Sequence, residues 1–208
     1  MTLIELMVVV AIIAIMAAVG TAYTSNRCPA ALSEYTRLIA GELSAARSSA
    51  RANSWNVVFW FGYECDGAGG IKPNNRAYVR VVDRNGNLQI DADEACTTTS
   101  LNTAGCNSSR WIEFGSPNGT GPNDGVAHVP EADGVNFEIP SAPDPANAVA
   151  FGGGGLVNQV TPLTDALFLR IMNEGVPLDY MGRSIVMRQN GRTVVYGFEN
   201  GTWEIYMK

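Results

Sequence analysis

Residues Met1 to Val19, MTLIELMVVVAIIAIMAAV, form an unbroken apolar run with one charge, Glu5, near its start. From Leu6 to Asn26 no charged side chain occurs at all. A helix crosses a bilayer with roughly 20 such residues, and a helix that is apolar all round has no face to turn toward water. This stretch therefore demands lipid or other apolar helices around it. An acid at the bilayer centre costs about 2.5–3.5 kcal/mol, and less near the interface. Glu5 reads either as an acid snorkelling near one end of an ordinary anchor, or as half of a pair completed by another copy or another chain.

The helical pattern continues beyond the anchor. Leu32, Tyr35, Ile39, Leu43, Ala46 and Ala50 recur at spacings of three and four, which places them on one stripe. Ser33, Glu34, Arg37, Ser44, Arg47, Ser48 and Arg51 take the other faces, so the stripe is expected to seat a β-sheet. Gly20 weakens the helix, and Pro29 lacks a backbone donor, which predicts a bend or break over residues 25–29. Asn53 is the expected end, for a rod of roughly 80 Å at about 1.5 Å per residue. The chain thus divides into an apolar segment 1–26, an amphipathic helical segment 27–53 and a β-rich domain 54–208.

From Trp55 onward the pattern is that of strands. Asn56 to Tyr63 is β-branched and aromatic, and Ala77–Val82, Arg110–Phe114, Val135–Ile139, Ala148–Phe151 and Ala166–Met172 are runs of similar kind. At the C-terminus Arg183–Gln189, Thr193–Phe198 and Thr202–Tyr206 are separated by Asn190-Gly191 and Asn200-Gly201. Asn-Gly is a strong hairpin signal because both turn residues take positive φ, so an antiparallel meander is expected to close the domain. Residues 65–75, 97–109, 115–134 and 140–147 read as loops. The fold class is α+β: a long N-terminal helix packed on antiparallel sheet.

Four cysteines, Cys28, Cys65, Cys96 and Cys106, are even in number, match no CxxC zinc pattern and suit an oxidising compartment. Three connectivities exist. The short local loop favours Cys96–Cys106, which leaves Cys28–Cys65 to tie the helix to the first strand region. The net charge of −6 argues against nucleic acid as a partner, since phosphate binding needs a positive footprint.

The stretch Asp83 to Glu94, DRNGNLQIDADE, carries two readings. Asp83, Asn85, Asn87, Asp91 and Glu94 place oxygen-bearing side chains at positions 1, 3, 5, 9 and 12 of a twelve-residue calcium loop, with Gln89 at position 7 able to offer its backbone carbonyl, where six to eight oxygens are needed. The glycine expected at the sixth position is Leu88, and a glycine stands at the fourth instead. The other reading is a metal-free β-hairpin turning at Asn85-Gly86, between Val79–Val82 and Leu88–Ile90.

The segment Thr2-Leu3-Ile4-Glu5-Leu6-Met7-Val8-Val9-Val10-Ala11-Ile12 closely resembles the start of mature type IV pilins and type II secretion pseudopilins. The resemblance implies a pilin fold and a processed, N-methylated first residue, here Met1 where the family usually has phenylalanine. The chain begins directly at this motif, as a mature subunit would. Met1 is then either the mature first residue left by a prepilin peptidase or an initiator standing in place of a leader. Glu5 is implied to pair with the free N-terminal amine of a neighbouring subunit as the helices stack, which gives a desolvated acid a positive partner.

Further along, Leu43 to Asn53, the Val149-Ala150-Phe151 run into glycines, and Gly191-Arg192-Thr193-Val194-Val195 resemble the GspH/FimT branch of that superfamily. Some FimT-type members bind DNA through a Gly-Arg-x-Arg element. Here Gly191 and Arg192 match, whereas Val194 replaces the second arginine.

Catalysis finds little support. His128 is the only histidine, and Gly152–Gly155 lacks the lysine and following Ser/Thr of a phosphate loop. Trp55, Trp60, Trp111 and Trp203 fall in or beside strand-like runs, as core residues do. What remains is a minor pilin or pseudopilin that co-assembles with other major and minor subunits. It would be held in the bacterial inner membrane before assembly, then enter a periplasmic or extracellular filament. Beside it stand a binding subunit, contacting a surface, DNA or secreted cargo through residues 97–134, and the repeating major subunit.

Overall fold

The computed structural model describes residues 3–24, 27–88, 90–91, 94–101, 106, 109–115, 148–152, 157–158, 166–187 and 193–207. Two helices lead the chain, α1 (Leu3–Thr24) and α2 (Arg27–Asn53). The backbone of α1 is helical over 22 residues, and its described side chains, Leu3 to Ala17, are all exposed. Over the described residues no helix is long and apolar enough to cross a membrane.

Residues 25–26, within the stretch 25–29 where a bend or break is expected, lie outside the described residues, and Arg27 to Pro29 are helical. Pro29 lies in the first turn of α2, where its missing N–H would have had no intrahelical acceptor in any case. The helix ends at Asn53 as its pattern predicts. Ser54 takes a left-handed φ of 56° and donates its N–H to the Ala50 carbonyl at 2.9 Å, closing the last turn.

Two five-stranded antiparallel sheets follow. Their strands are β1 (Asn56–Cys65), β2 (Ile71–Asp83), β3 (Cys96–Ser100), β4 (Arg110–Phe114), β5 (Ala148–Phe151), β6 (Val157–Asn158), β7 (Ala166–Asn173), β8 (Val176–Met187), β9 (Thr193–Glu199) and β10 (Thr202–Met207). One sheet has the order β3-β2-β1-β5-β6, the other β10-β9-β8-β7-β4. The C-terminal meander β8–β9–β10 forms as the pattern predicts, and the β9–β10 turn has Asn200 and Gly201 at φ 53° and 84°. Asn190-Gly191 and Val135–Ile139 lie outside the described residues.

The predicted stripe of α2 is the centre of the main core. Leu32, Ile39, Leu43, Ala46 and Ala50 are buried, joined by Cys28, Ala31 and Ala40, with Tyr35 packed at the margin. They meet inward residues of both sheets: Val57, Phe59 and Phe61 from the first, Leu169, Ile171, Ile185 and Val195 from the second. Each fully buried aliphatic or aromatic side chain here contributes about 1.5–3 kcal/mol of transfer free energy.

Strand β1 is buried on both faces, which explains its continuous apolar run. Val57, Phe59 and Phe61 face α2, whereas Val58 and Trp60 face outward into a second cluster with Tyr63, Ile71, Val79, Val81 and Ala150. The change of face comes at Gly62. Its φ of 84° is a left-handed value that side chains disfavour, and the β1–β2 register shifts there, from Phe61↔Tyr78 to Tyr63↔Pro73. Beyond it the hairpin tip doubles back over the outer face. Cys65 N–H reaches Thr98 Oγ1 at 2.8 Å, although Thr98 pairs with Val79 and Val79 with Trp60.

That fold-back corrects the cysteine expectation. The bridges are Cys28–Cys106 and Cys65–Cys96, not Cys96–Cys106 and Cys28–Cys65. The first strand does not run its end back to the helix. It carries Cys65 outward to edge strand β3, whose first residue is Cys96, and this leaves Cys106 for the first turn of α2. The threonine-rich strand β3 itself falls mostly in a region read as loop.

Candidate functional site

Glu5 lies in the first turn of α1, where a carboxylate complements the positive end of the helix dipole. The apolar side chains beside it point outward, with Leu3 79% and Met7 64% exposed. Among the described residues neither sheet packs extensively on α1, and the link between α1 and the domain runs through the start of α2. Met1 lies outside the described residues.

The start of α2 is fastened to the second sheet by a polar cluster. Arg183, on β8 and buried, donates to the Gly182 carbonyl at 2.9 Å, to Glu199 Oε1 at 3.1 Å and to Ser33 Oγ of α2 at 3.5 Å. Its guanidinium lies over the Tyr206 ring, 4.4 Å from the centroid. The hydrogen bond with Ser33, helped by the weaker effects of the Arg183 and Arg37 charges, holds the Tyr206 hydroxyl below its ordinary pKa despite the opposing effect of burial.

A buried ion pair within the second sheet, Glu113 of β4 with Arg170 of β7, is reached from the first sheet by Asn75 of β2. Glu113 of β4 accepts from Arg170 Nε at 3.0 Å and Nη2 at 2.8 Å on one oxygen. Its other oxygen accepts from Trp111 Nε1 at 3.0 Å and from Asn75 Nδ2 at 2.8 Å. Asn75 sits where β2 bulges, so an irregularity of the first sheet satisfies a buried acid of the second. Arg76, from the same bulge, stacks over Trp111 at 4.5 Å. Gly115, at φ 148°, lies so close that an added Cβ would stand 2.8 Å from the Arg170 guanidinium.

The described residues between Asp83 and Glu94 form a hydrogen-bonded loop, which corrects the hairpin expectation. Neither Leu88 nor Ile90 pairs with β2, whose edge is taken by β3 in the register Val81↔Cys96 to Ala77↔Ser100. Asp83, fully buried, instead turns its carboxylate into the loop. It accepts from Gly86 N–H at 2.6 Å, Leu88 N–H at 3.0 Å and Asn56 Nδ2 at 3.3 Å.

Asp91 accepts from the side-chain amides of Asn85 and Asn87, while Asn85 Oδ1 accepts from Asn87 N–H at 3.0 Å. Glu94 closes the loop by accepting from Arg84 N–H at 3.0 Å and Asp91 N–H at 3.4 Å. The loop therefore gathers the expected oxygen-bearing residues, Gln89 excepted as it lies outside the described residues, and occupies their carboxylates with N–H donors. Among the described residues no three His, Cys, Asp or Glu side chains are grouped to hold a metal ion.

Arg192 and His128 also lie outside the described residues. Of the tryptophans, Trp60 is buried, while Trp55, Trp111 and Trp203 are half-buried. What the sequence did not reveal is the polar clamp of Arg170 and Arg183. An arginine within an apolar strand run such as ALFLRIM was the available signal.

No family model matches the chain, and no curated protein matches it. Among solved structures it is similar to the minor pseudopilin EpsH from the type 2 secretion system of Vibrio cholerae, with 12% identity and a TM-score of 0.40 over 84% of this chain and 99% of that one. A second structure of EpsH aligns over 79% of this chain and 92% of that one, again at 12% identity and a TM-score of 0.40. A TM-score of 0.40 is too low to establish a shared fold, so the architecture stands on its own elements.

Proposed function

We propose that this chain is a minor pilin or pseudopilin, a structural subunit that co-assembles with other pilin subunits in a type IV pilus or a type II secretion pseudopilus. The observation that carries this reading is the pairing of unlike helices. An apolar helix with an acid in its first turn leads into a second helix whose inner stripe is buried in a two-sheet domain. The resemblance of Thr2 to Ile12 to mature pilin N-termini supports it independently. In this reading α1 and the residues around it anchor the subunit in the inner membrane, a prepilin peptidase frees the N-terminus at Met1, and α1 then moves into the filament core. Both environments satisfy a helix whose backbone bonds are internal and whose surface is apolar.

The test is Glu5→Ala in cells that assemble filaments. Membrane insertion is expected to persist, because the substitution removes a polar cost. Recovery of the variant in sheared filaments is expected to fall well below wild type. Wild-type co-assembly would show that Glu5 has no required partner and remove the ground for the pairing. Copy number per filament, by quantitative mass spectrometry, separates a minor from a major subunit.

A further inference from the structure

We propose that the Cys28–Cys106 bridge is a mechanical staple that carries force from α1 into the sheet domain and prevents α2 from peeling away. A biological use for it rests on the pilin reading, in which α1 is held by a membrane or by neighbouring helices while the domain is pulled. The mechanics follow from the fold alone. The described side chains of α1 are exposed and, among the described residues, neither sheet packs extensively on it, so force applied to α1 enters the domain at Arg27–Cys28. Cys28 is the first buried residue of α2.

Without a bridge, tension at that end would load contacts one at a time, first Cys28 and Ala31, then Leu32, then Ile39. A helix end loaded this way opens like any fraying terminus, because no single contact shares its load with the next. The non-covalent fastening nearby, Arg183 to Ser33 at 3.5 Å, lies beyond Cys28 and is loaded only after that residue moves. The disulfide diverts tension to Cys106, which is four residues before β4. It thereby takes α2, β1, β2 and β3 out of the direct path, since the bridged cysteines are 78 residues apart. The second bridge, Cys65–Cys96, closes a loop inside that bypassed region and carries none of this tension.

The experiment is single-molecule pulling of the full chain in detergent, between an N-terminal tether and a C-terminal tether. The molecule is folded with both bridges intact and then measured with or without a phosphine reductant. The oxidised chain is expected to show no early low-force event, and to release less contour on unfolding by about 78 residues at ~3.6 Å, roughly 280 Å. The reduced chain is expected to show an early event at lower force as α2 peels, followed by domain unfolding. A Cys65→Ser/Cys96→Ser variant, oxidised, is expected to keep the first rupture of the wild type.

Two results overturn the proposal: a reduced chain whose first rupture matches the oxidised one in force, or an early event brought on by the Cys65/Cys96 variant. Neither depends on filament assembly, so a failure here is distinguishable from a failure of the Glu5→Ala test.

Discussion

Helices α1 and α2 adjoin in the chain and solve opposite problems. In α1 apolar residues cover every face, and the described ones remain exposed. In α2 fewer apolar residues are arranged on one stripe, and nearly all of that stripe is buried. The difference teaches that pattern, more than content, decides whether a helix completes a domain of its own chain. A one-sided helix can be covered by one pair of sheets. A helix apolar all round needs surroundings on every side, which this domain does not supply.

The comparison breaks most directly under core truncation. Leu43→Ala, at a fully buried position of α2, is expected to cost about 2–5 kcal/mol in denaturant unfolding of the detergent-solubilised chain. Ile12→Ala, at a position 49% exposed on α1, is expected to leave the domain's unfolding midpoint unchanged. A comparable loss from Ile12→Ala would mean that α1 is part of the cooperative domain.

Next in size is the acidic loop, where a buried polar cap does the work that apolar burial does in α2. Asp83→Ala is expected to destabilise by about 1–3 kcal/mol, because the Gly86 and Leu88 N–H groups lose their acceptor. The loop is expected to hold through these bonds without a cation, so the melting temperature of the wild type should be the same in calcium and in chelator. A calcium-dependent rise would restore the metal reading of Asp83, Asn85, Asn87, Gln89, Asp91 and Glu94.

The smallest expected effect is at the folded-back hairpin tip. A hydrogen bond from Lys72 and another from Asn74 hold Glu64 below the usual carboxylate range, and the Ala68 and Gly70 N–H groups do the same for Asp66. Because the folded-state pKa values are lowered, this stabilisation is present above the ordinary carboxylate pKa of about 4 and is lost as pH falls through the lowered values. Amide exchange, corrected for its intrinsic pH dependence, should show residues 64–72 losing protection in acid before the β8–β10 ladder does. The Lys72–Glu64 pair is exposed enough that high salt should remove much of the effect.

Residue pattern alone was sufficient for a good part of this chain. The stripe of α2 and its end at Asn53, the strands Arg110–Phe114 and Ala148–Phe151, and the turn at Asn200-Gly201 all follow from forces acting within a few residues. Helical periodicity, β-branched runs and positive-φ turn chemistry are local, so they are readable locally. The fold-back at Gly62, the use of β3 as the edge partner of β2, the cysteine pairing and the satisfaction of Glu113 by Asn75 and Arg170 were decided only in the tertiary structure. Each depends on which distant segments meet. A threonine-rich stretch becomes a strand because an edge is open beside it, and a cysteine finds its partner only once a bulge has turned its strand away from the helix.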